Sequence, residues 1–278
     1  MKSKTRVNIF LNILVVLVLA IVLAPFFIMI TTALQPDADA IAFPPEIIPR
    51  NPTLQNFINI FNPNLFPFWR YFWNSFFIAM SSAVINLFVG VLAAYSFAKL
   101  DFFGKKFIQT STLVVYMFSG ILLIIPLFQI FSRIGIIDNP LSVIIACVVT
   151  TLPATLFSLT AYFRTIPDSI EESAMIDGLG VLRIIFLIVV PLSVPAIMAS
   201  FAFVFMIAWN NFLFTTTFLH SPDNWTLIIG LNALFGAQVF AWGLIMAGSL
   251  LTAIPIIIIF ACVERFISGG LIAGGVKG

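Results

Sequence analysis

Six stretches of about twenty or more predominantly apolar residues run through this chain and leave it a single suitable solvent. Their approximate limits are 8–33, 72–98, 107–132, 140–163, 184–212 and 239–263. About twenty apolar residues carry an α-helix across the hydrocarbon of a bilayer. There every backbone N–H and C=O must be satisfied without water, so each stretch is predicted to be a helix. Of 278 residues, 61% are hydrophobic and only 9% charged, with 32 Phe, whereas a soluble domain carries roughly a quarter of its residues as charges. The predicted fold class is all-α, a polytopic transmembrane protein with six membrane-spanning helices and a short connecting helix between the fourth and fifth. Residues 1–278 form a single transmembrane domain.

The apolar run from Val7 to about Leu34 follows Lys2, Lys4 and Arg6. It exceeds the roughly 7–15 residue core of a secretion signal and reads as an uncleaved first span. Counting Lys and Arg on alternate sides puts Lys2, Lys4, Arg6, Lys99, Lys105, Lys106, Arg164, Arg183, Arg265 and Lys277 on one face, against Arg50, Arg70 and Arg133 on the other. The positive-inside rule then places both termini in the cytoplasm of a multi-pass protein in a bacterial cytoplasmic (inner) membrane. The long outer connection, about 34–71, carries seven prolines, from Pro36 to Pro67, and is predicted to hold no long helix. Trp69, Trp73, Trp209, Trp225 and Trp242 fall near the predicted outer boundary, where amphipathic rings settle as anchors.

Several chemistries are excluded. A net charge of +2, with no basic run longer than Lys105-Lys106, does not suit nucleic acid. Cys147 and Cys262 sit toward opposite faces, too far apart to pair, and read as small apolar packers. No phosphate-binding loop is present, so the chain is not expected to hydrolyse ATP or to act as an enzyme. His220 has no companions for a metal site, and no metal or cofactor is expected on this chain. The predicted span centres carry no charge, unlike the path of a proton- or ion-driven transporter. Their polar residues are neutral: Asn12, Asn86, Gln129, Thr150, Thr151, Ser249 and Thr252. Such groups suit a passage for an uncharged hydroxylated solute, and equally suit hydrogen bonds between helices.

The connection between the fourth and fifth spans, 167–182, is the most informative segment. Its sequence predicts a short helix that Asp168 or Ser169 caps, with Glu171 and Glu172 near its positive end and Gly178 or Gly180 ending it. Met175, Ile176 and Leu179 would form an apolar stripe beside those acids. A short helix offering both apolar and acidic groups, held between two spans, is suited to sit in a cleft of another protein and transmit force.

Glu172-Ser173-Ala174, then Asp177-Gly178, Phe186 and Pro191-Leu192-Ser193-Val194-Pro195, resemble the Glu-Ala-Ala…Gly…Pro signature of ABC-importer permeases. Ser173 stands where that family usually has Ala. Trp209-Asn210-Asn211-Phe212-Leu213-Phe214 and the Gly-rich end from Glu264 to Gly278 resemble maltose-type carbohydrate permeases, in particular the shorter six-helix partner of each pair. The resemblance covers nearly the whole chain. It implies the type I ABC importer permease fold, a second homologous permease, two ATP-binding-cassette ATPase subunits that bind ATP and Mg, and an extracytoplasmic solute-binding protein.

Carried onto these residues, the likeness assigns Glu171, Glu172, Ser173, Ala174, Met175, Ile176, Asp177, Gly178 and Leu179 to coupling with the ATPase, and Pro191 and Pro195 to shaping the entry into the fifth span. Asn74, Ser75, Asn210 and Asn211 are candidates for the solute path, because an amide donates to and accepts from hydroxyls at once. Asp223, Asn224 and Trp225 are candidates for touching the binding protein, and the Gly-rich end for touching the ATPase. The function expected is the permease of a sugar or sugar-like solute. An ABC permease for a polyol, a glycerophosphodiester or a compatible solute stays open, as does a transporter working alone.

Overall fold

The computed structural model describes residues 2–40, 47–236 and 241–274, with their side chains except at 2–10, 37–38 and 267–274. The helices are α1 (Lys2–Ala33), α2 (Phe68–Lys99), α3 (Lys105–Met117), α4 (Ile124–Arg133), α5 (Pro140–Phe163), α6 (Asp168–Ile176), α7 (Val181–Leu192), α8 (Val194–Trp209), α9 (Leu213–Phe218), α10 (Leu227–Leu234) and α11 (Trp242–Gly274). Between α1 and α2 lie only the short helices Asp37–Ala40 and Gln55–Asn59 among the described residues.

Four helices are each long and apolar enough to cross a membrane, over Leu11–Ala33, Phe68–Lys99, Pro140–Phe163 and Trp242–Phe266. The third and fifth predicted stretches are instead bent pairs. Lys105–Met117 meets Gly120–Arg133 at 98°, and α7 meets α8 at 84°. The first break lies at Phe118 and Ser119, whose backbones are extended with ψ of 130° and 135°. The second lies at Ser193, between the two prolines. Pro191 has no N–H for the carbonyl four residues back, and the turn before it, Ile185–Val189, winds as a π-helix. Pro195 falls in the first turn of α8, where a missing N–H costs nothing. Pro191 and Pro195 therefore flank a break inside the fifth stretch.

The chain divides into two compact units, Met1–Trp69 with Leu231–Ile254 and Arg70–Gly230 with Pro255–Gly278. In the first unit the segment after α1 folds back over that helix's end. Asn56, 3% exposed, donates through Nδ2 to the carbonyls of Ala33 at 2.9 Å and Gln35 at 2.8 Å, and the Thr53 N–H reaches Leu34 O at 2.8 Å. These are carbonyls that a helix end leaves without partners. Gly243, near the start of α11, lies flat against that amide.

The second unit packs α8 along α5, and its core includes Val91, Tyr95, Leu159, Phe163, Ile184 and Val189. Five of the neutral polar residues named in the predicted spans bond within helices or between them. Asn86 donates to Thr151 Oγ1 at 2.8 Å, while the hydroxyls of Thr150, Thr151, Ser249 and Thr252 bond carbonyls one turn back. Trp69 and Trp73 are more than half exposed, as boundary anchors require, but Trp209 is 2% exposed and stacks on Phe205 with ring centroids 5.7 Å apart. The expected anchor at 209 is thus a core residue, because its helix turns it toward α2's Phe72 rather than outward. Cys147 is buried, Cys262 is exposed, and both are free thiols.

A Cβ at position 243 would overlap the Asn56 amide, which two hydrogen bonds hold in place. Gly243→Ala is expected to displace it and lower stability by about 1–3 kcal/mol, read as a lower thermal midpoint of the purified protein.

Candidate functional site

The site centres on α6. Its N-cap is Pro167, extended and without a side-chain cap. The Asp168 carboxylate, expected as a capping acceptor, instead receives the Lys99 ammonium at 2.6 Å. Ser169 does not cap either, and its carbonyl accepts from the Ser173 hydroxyl at 2.8 Å. The far end closes as the residues dictate. Gly178, at φ +83°, donates to Met175 O, and Leu179 donates to Ala174 O, both at 3.0 Å. That pair of bonds is the Schellman motif, which a glycine in the left-handed region makes possible.

One side of α6 is moored to α2. Lys99, the last residue of α2, has a side chain only 7% exposed. Its ammonium donates to Ile166 O and Asp168 Oδ1, both at 2.6 Å, and lies 3.2 Å from Glu171 Oε1. One turn earlier, the Tyr95 hydroxyl donates to Glu171 Oε2 at 2.8 Å. Glu171 is 5% exposed and Ala174 6%, and Ala174 and Leu179 pack into the core cluster of this unit. The expected docking set is therefore divided. Glu171, Ala174 and Leu179 face inward, and the predicted stripe of Met175, Ile176 and Leu179 is broken because the helix stops at Ile176.

The other side of α6 is open. Glu172, Ser173 and Asp177 are exposed. Ile176 is 86% exposed and Met175 48%. Acidic and apolar groups thus share one surface whose back is fastened by charge. Tyr95 and Lys99 were not among the residues expected at the site. Lys99 was counted only for orientation, although Tyr95 and Lys99 at i, i+4 near a helix end lie on one face.

A second cluster lies at the opposite end of the same unit, where Asn74 and Ser75 of α2 hold the segment 223–227. Asn74 Nδ2 donates to the carbonyls of Asp223 at 2.8 Å and Trp225 at 2.9 Å, and buried Ser75 accepts from the Leu227 N–H at 2.8 Å. Arg70 pairs with Asp223. Two candidates for the solute path are thereby engaged with the candidates for binding-protein contact. Asn211 caps the first turn of α9 by accepting the Phe214 N–H at 2.9 Å. Asn210 is exposed at the end of α8, with its Nδ2 on Met206 O at 3.0 Å.

Asp138 fastens the start of the same segment. It sits at φ +59°, a region that Asp tolerates better than most residues. Its carboxylate accepts from the Ser221 hydroxyl and from the amides of His220 and Ser221, both at 2.9 Å. Its backbone carbonyl accepts from Asn224 Nδ2 at 2.6 Å. These donors, the Ser221 hydroxyl foremost, hold the carboxyl well below the usual carboxylate range. No group of three or more His, Cys, Asp or Glu suited to a metal ion occurs among the described residues.

Lys99→Met leaves the Glu171 carboxylate buried without its cation and is expected to cost about 3–5 kcal/mol. Tyr95→Phe should cost about 1 kcal/mol. In a double-mutant cycle read by thermal unfolding, Lys99→Met with Glu171→Leu should recover most of the loss, and strictly additive losses would show that the pair does not interact. For Asp138 the folded carboxyl is depressed, so its contribution is present above the ordinary value near 3.8 and is lost as pH falls below it. Protection of the His220 and Ser221 amides, corrected for intrinsic exchange at each pH, should fall below that pH, and in Asp138→Asn this pH dependence should vanish.

Residues 86–269 match the family model of the binding-protein-dependent transport system inner membrane component. The chain is 48% identical over 262 residues to the inner membrane ABC transporter permease protein YcjP of Escherichia coli (strain K12), covering 94% of each. It is 30% identical over 279 residues to the trehalose/maltose transport system permease protein MalG of Thermococcus litoralis, covering 100% of each. In fold it is similar to a chain of the crystal structure of a bacterial ABC transporter involved in import of the acidic polysaccharide alginate, with a TM-score of 0.79 at 20% identity, covering 95% of this chain and 98% of that one. With apolar helices that cross a membrane several times and a match across most of its length, the chain belongs to the family of binding-protein-dependent transport system inner membrane components.

Proposed function

We propose that this chain is one of two related permeases that together form the path for a sugar or sugar-like polar solute in an ATP-driven importer. ATP and Mg are held by two separate ATPase subunits, and an extracytoplasmic binding protein delivers the solute. Both termini and α6 lie in the cytoplasm, which agrees with the excess of Lys and Arg on that side. The whole chain acts as a single permease domain. The relatives named for maltose and trehalose support a sugar as cargo, as does the neutral chemistry of the span interiors.

The observation that carries this reading is the division of α6. Glu171 and Ala174 fasten its back to the membrane unit, while Glu172, Met175 and Ile176 are presented outward. An apolar and acidic surface on a helix outside the spans fits a cleft with an apolar floor and a basic rim on the ATPase. Glu172 makes the charge-assisted contact there, and motion of the cleft passes through Lys99 and Tyr95 into α2. Gly178 provides the tight exit from α6, and the break at Pro191 and Pro195 lets α7 move with it. The Gly-rich end contributes a further contact to the ATPase. At the other face, Asp223, Asn224 and Trp225 form a ledge for the binding protein, braced by Asn74 and Ser75. Asn210 remains the best-placed of the four solute-path candidates on this chain.

The test is ATP-dependent uptake of labelled disaccharides into proteoliposomes holding the full complex. Glu172→Lys is expected to reduce uptake at least tenfold, since like charges facing each other in an interface cost several kcal/mol. Unchanged uptake would remove α6 from the coupling path, and uptake by this chain alone would overturn the subunit reading.

A further inference from the structure

Transport as described leaves a cavity of the second unit unused. It encloses about 360 Å³ between α3, α5 and the end of α2, within the roughly 300–1,000 Å³ typical of small-molecule sites. Its polar lining includes Lys106, Gln109, Thr110, Thr160 and Arg164, and its apolar walls include Phe97, Leu113 and Phe157. On α3, Lys106, Gln109, Thr110 and Leu113 follow one helical face, and Phe157 and Thr160 of α5, with Arg164 as its C-cap, do the same. The two cations thus share the end nearest the helix termini, with apolar residues about two turns deeper.

Two observations point to a missing ligand. Thr160 lines the cavity and is only 8% exposed, and its buried hydroxyl has no hydrogen-bond partner. A buried donor left unpaired is costly unless something supplies the bond. The neighbouring cations of this end are committed, Lys99 to Asp168 and Glu171, and Lys105 to Asp101 and the Leu100 carbonyl. Lys106 and Arg164 form no ion pair among the described residues. Two cations, a hydroxyl and an amide around one opening offer several donors to an anion's oxygens, and a guanidinium is suited to phosphate. An uncharged sugar needs neither cation, and a free anion needs no apolar wall. An amphiphile with an anionic head uses both.

We propose that this cavity seats the phosphate diester of an anionic phospholipid, with Lys106, Arg164 and Thr160 holding the phosphate and Phe97, Leu113 and Phe157 meeting the start of its acyl chains. It sits where headgroups lie, at the basic ends of the spans, and bound lipid braces α3, which has no buried residue of its own, against α5. Naming that leaflet the inner one rests on the orientation proposed above.

The test uses the full importer complex in phosphatidylcholine nanodiscs doped with phosphatidylglycerol, with retained phosphatidylglycerol counted by native mass spectrometry. Wild-type protein is expected to retain one more phosphatidylglycerol than Lys106→Gln/Arg164→Gln. Thr160→Val, which changes neither charge nor size, should weaken retention about tenfold. Equal retention in wild type and the double variant would overturn the site. Were that variant to fail to assemble, unchanged retention in Thr160→Val would do so alone. Displacement by inorganic phosphate would overturn the lipid as the source of the phosphate, and resistance to it supports the lipid. ATPase subunits counted in the same spectra keep the two readings apart. Retained ATPase without a lipid difference removes only the cavity, and a lipid difference with ATPase retained supports the cavity whatever Glu172→Lys does to uptake.

Discussion

Hydrocarbon offers no water to a backbone or a side chain, and that constraint organises this structure from the first span to the last. Several polar groups in the second unit are answered locally, by a carbonyl one turn back or by a facing side chain such as Thr151 against Asn86. Where the helices break, at Phe118–Ser119 and at Ser193, the chain uses a 3₁₀ turn, a π turn and prolines rather than an open loop. In the first unit, Asn56 does for the end of α1 what water would do in a soluble protein.

The same constraint explains why α6 is fastened by charge. Lys99 emerges at the end of an apolar helix, its side chain almost fully covered, and could not remain there without acceptors. It finds three, in the Ile166 carbonyl, Asp168 and Glu171. Tyr95 takes the second oxygen of Glu171. A buried pair of this kind adds little net stability, yet breaking it is expensive, so it fixes one arrangement of α6 against α2. The bracing of segment 220–227 by Asp138, Asn74 and Ser75 at the far end follows the same logic with neutral donors and backbone carbonyls.

Much of this was legible in the residues. The six apolar stretches, the proline-rich connection and the short acidic helix between the fourth and fifth spans follow from composition and spacing alone. Gly178 as a helix stop was readable because few other residues take a left-handed backbone without strain. What periodicity did not reveal was which face of α6 turned inward. Glu171 and Glu172 are adjacent and chemically alike, and 100° of helical rotation sends one to Lys99 and the other to solvent. The bends were hidden for a related reason, since a hydropathy pattern records how apolar a segment is and not whether its axis is straight. Trp209 read as a boundary anchor from its position, but its neighbours made it core.

Sequence by itself determined the solvent, the class of fold, the number of apolar segments and the acidic-apolar character of α6, because each depends only on which side chains must leave water and how many residues cross a bilayer. Only the tertiary structure decided that Lys99 and Tyr95 hold Glu171, that Asn74 and Ser75 serve the 223–227 segment, and that Lys106, Arg164 and Thr160 meet around one cavity. Those pairings join residues tens of positions apart in the chain, and the distance between two such side chains is set by how helices pack, which no local pattern encodes.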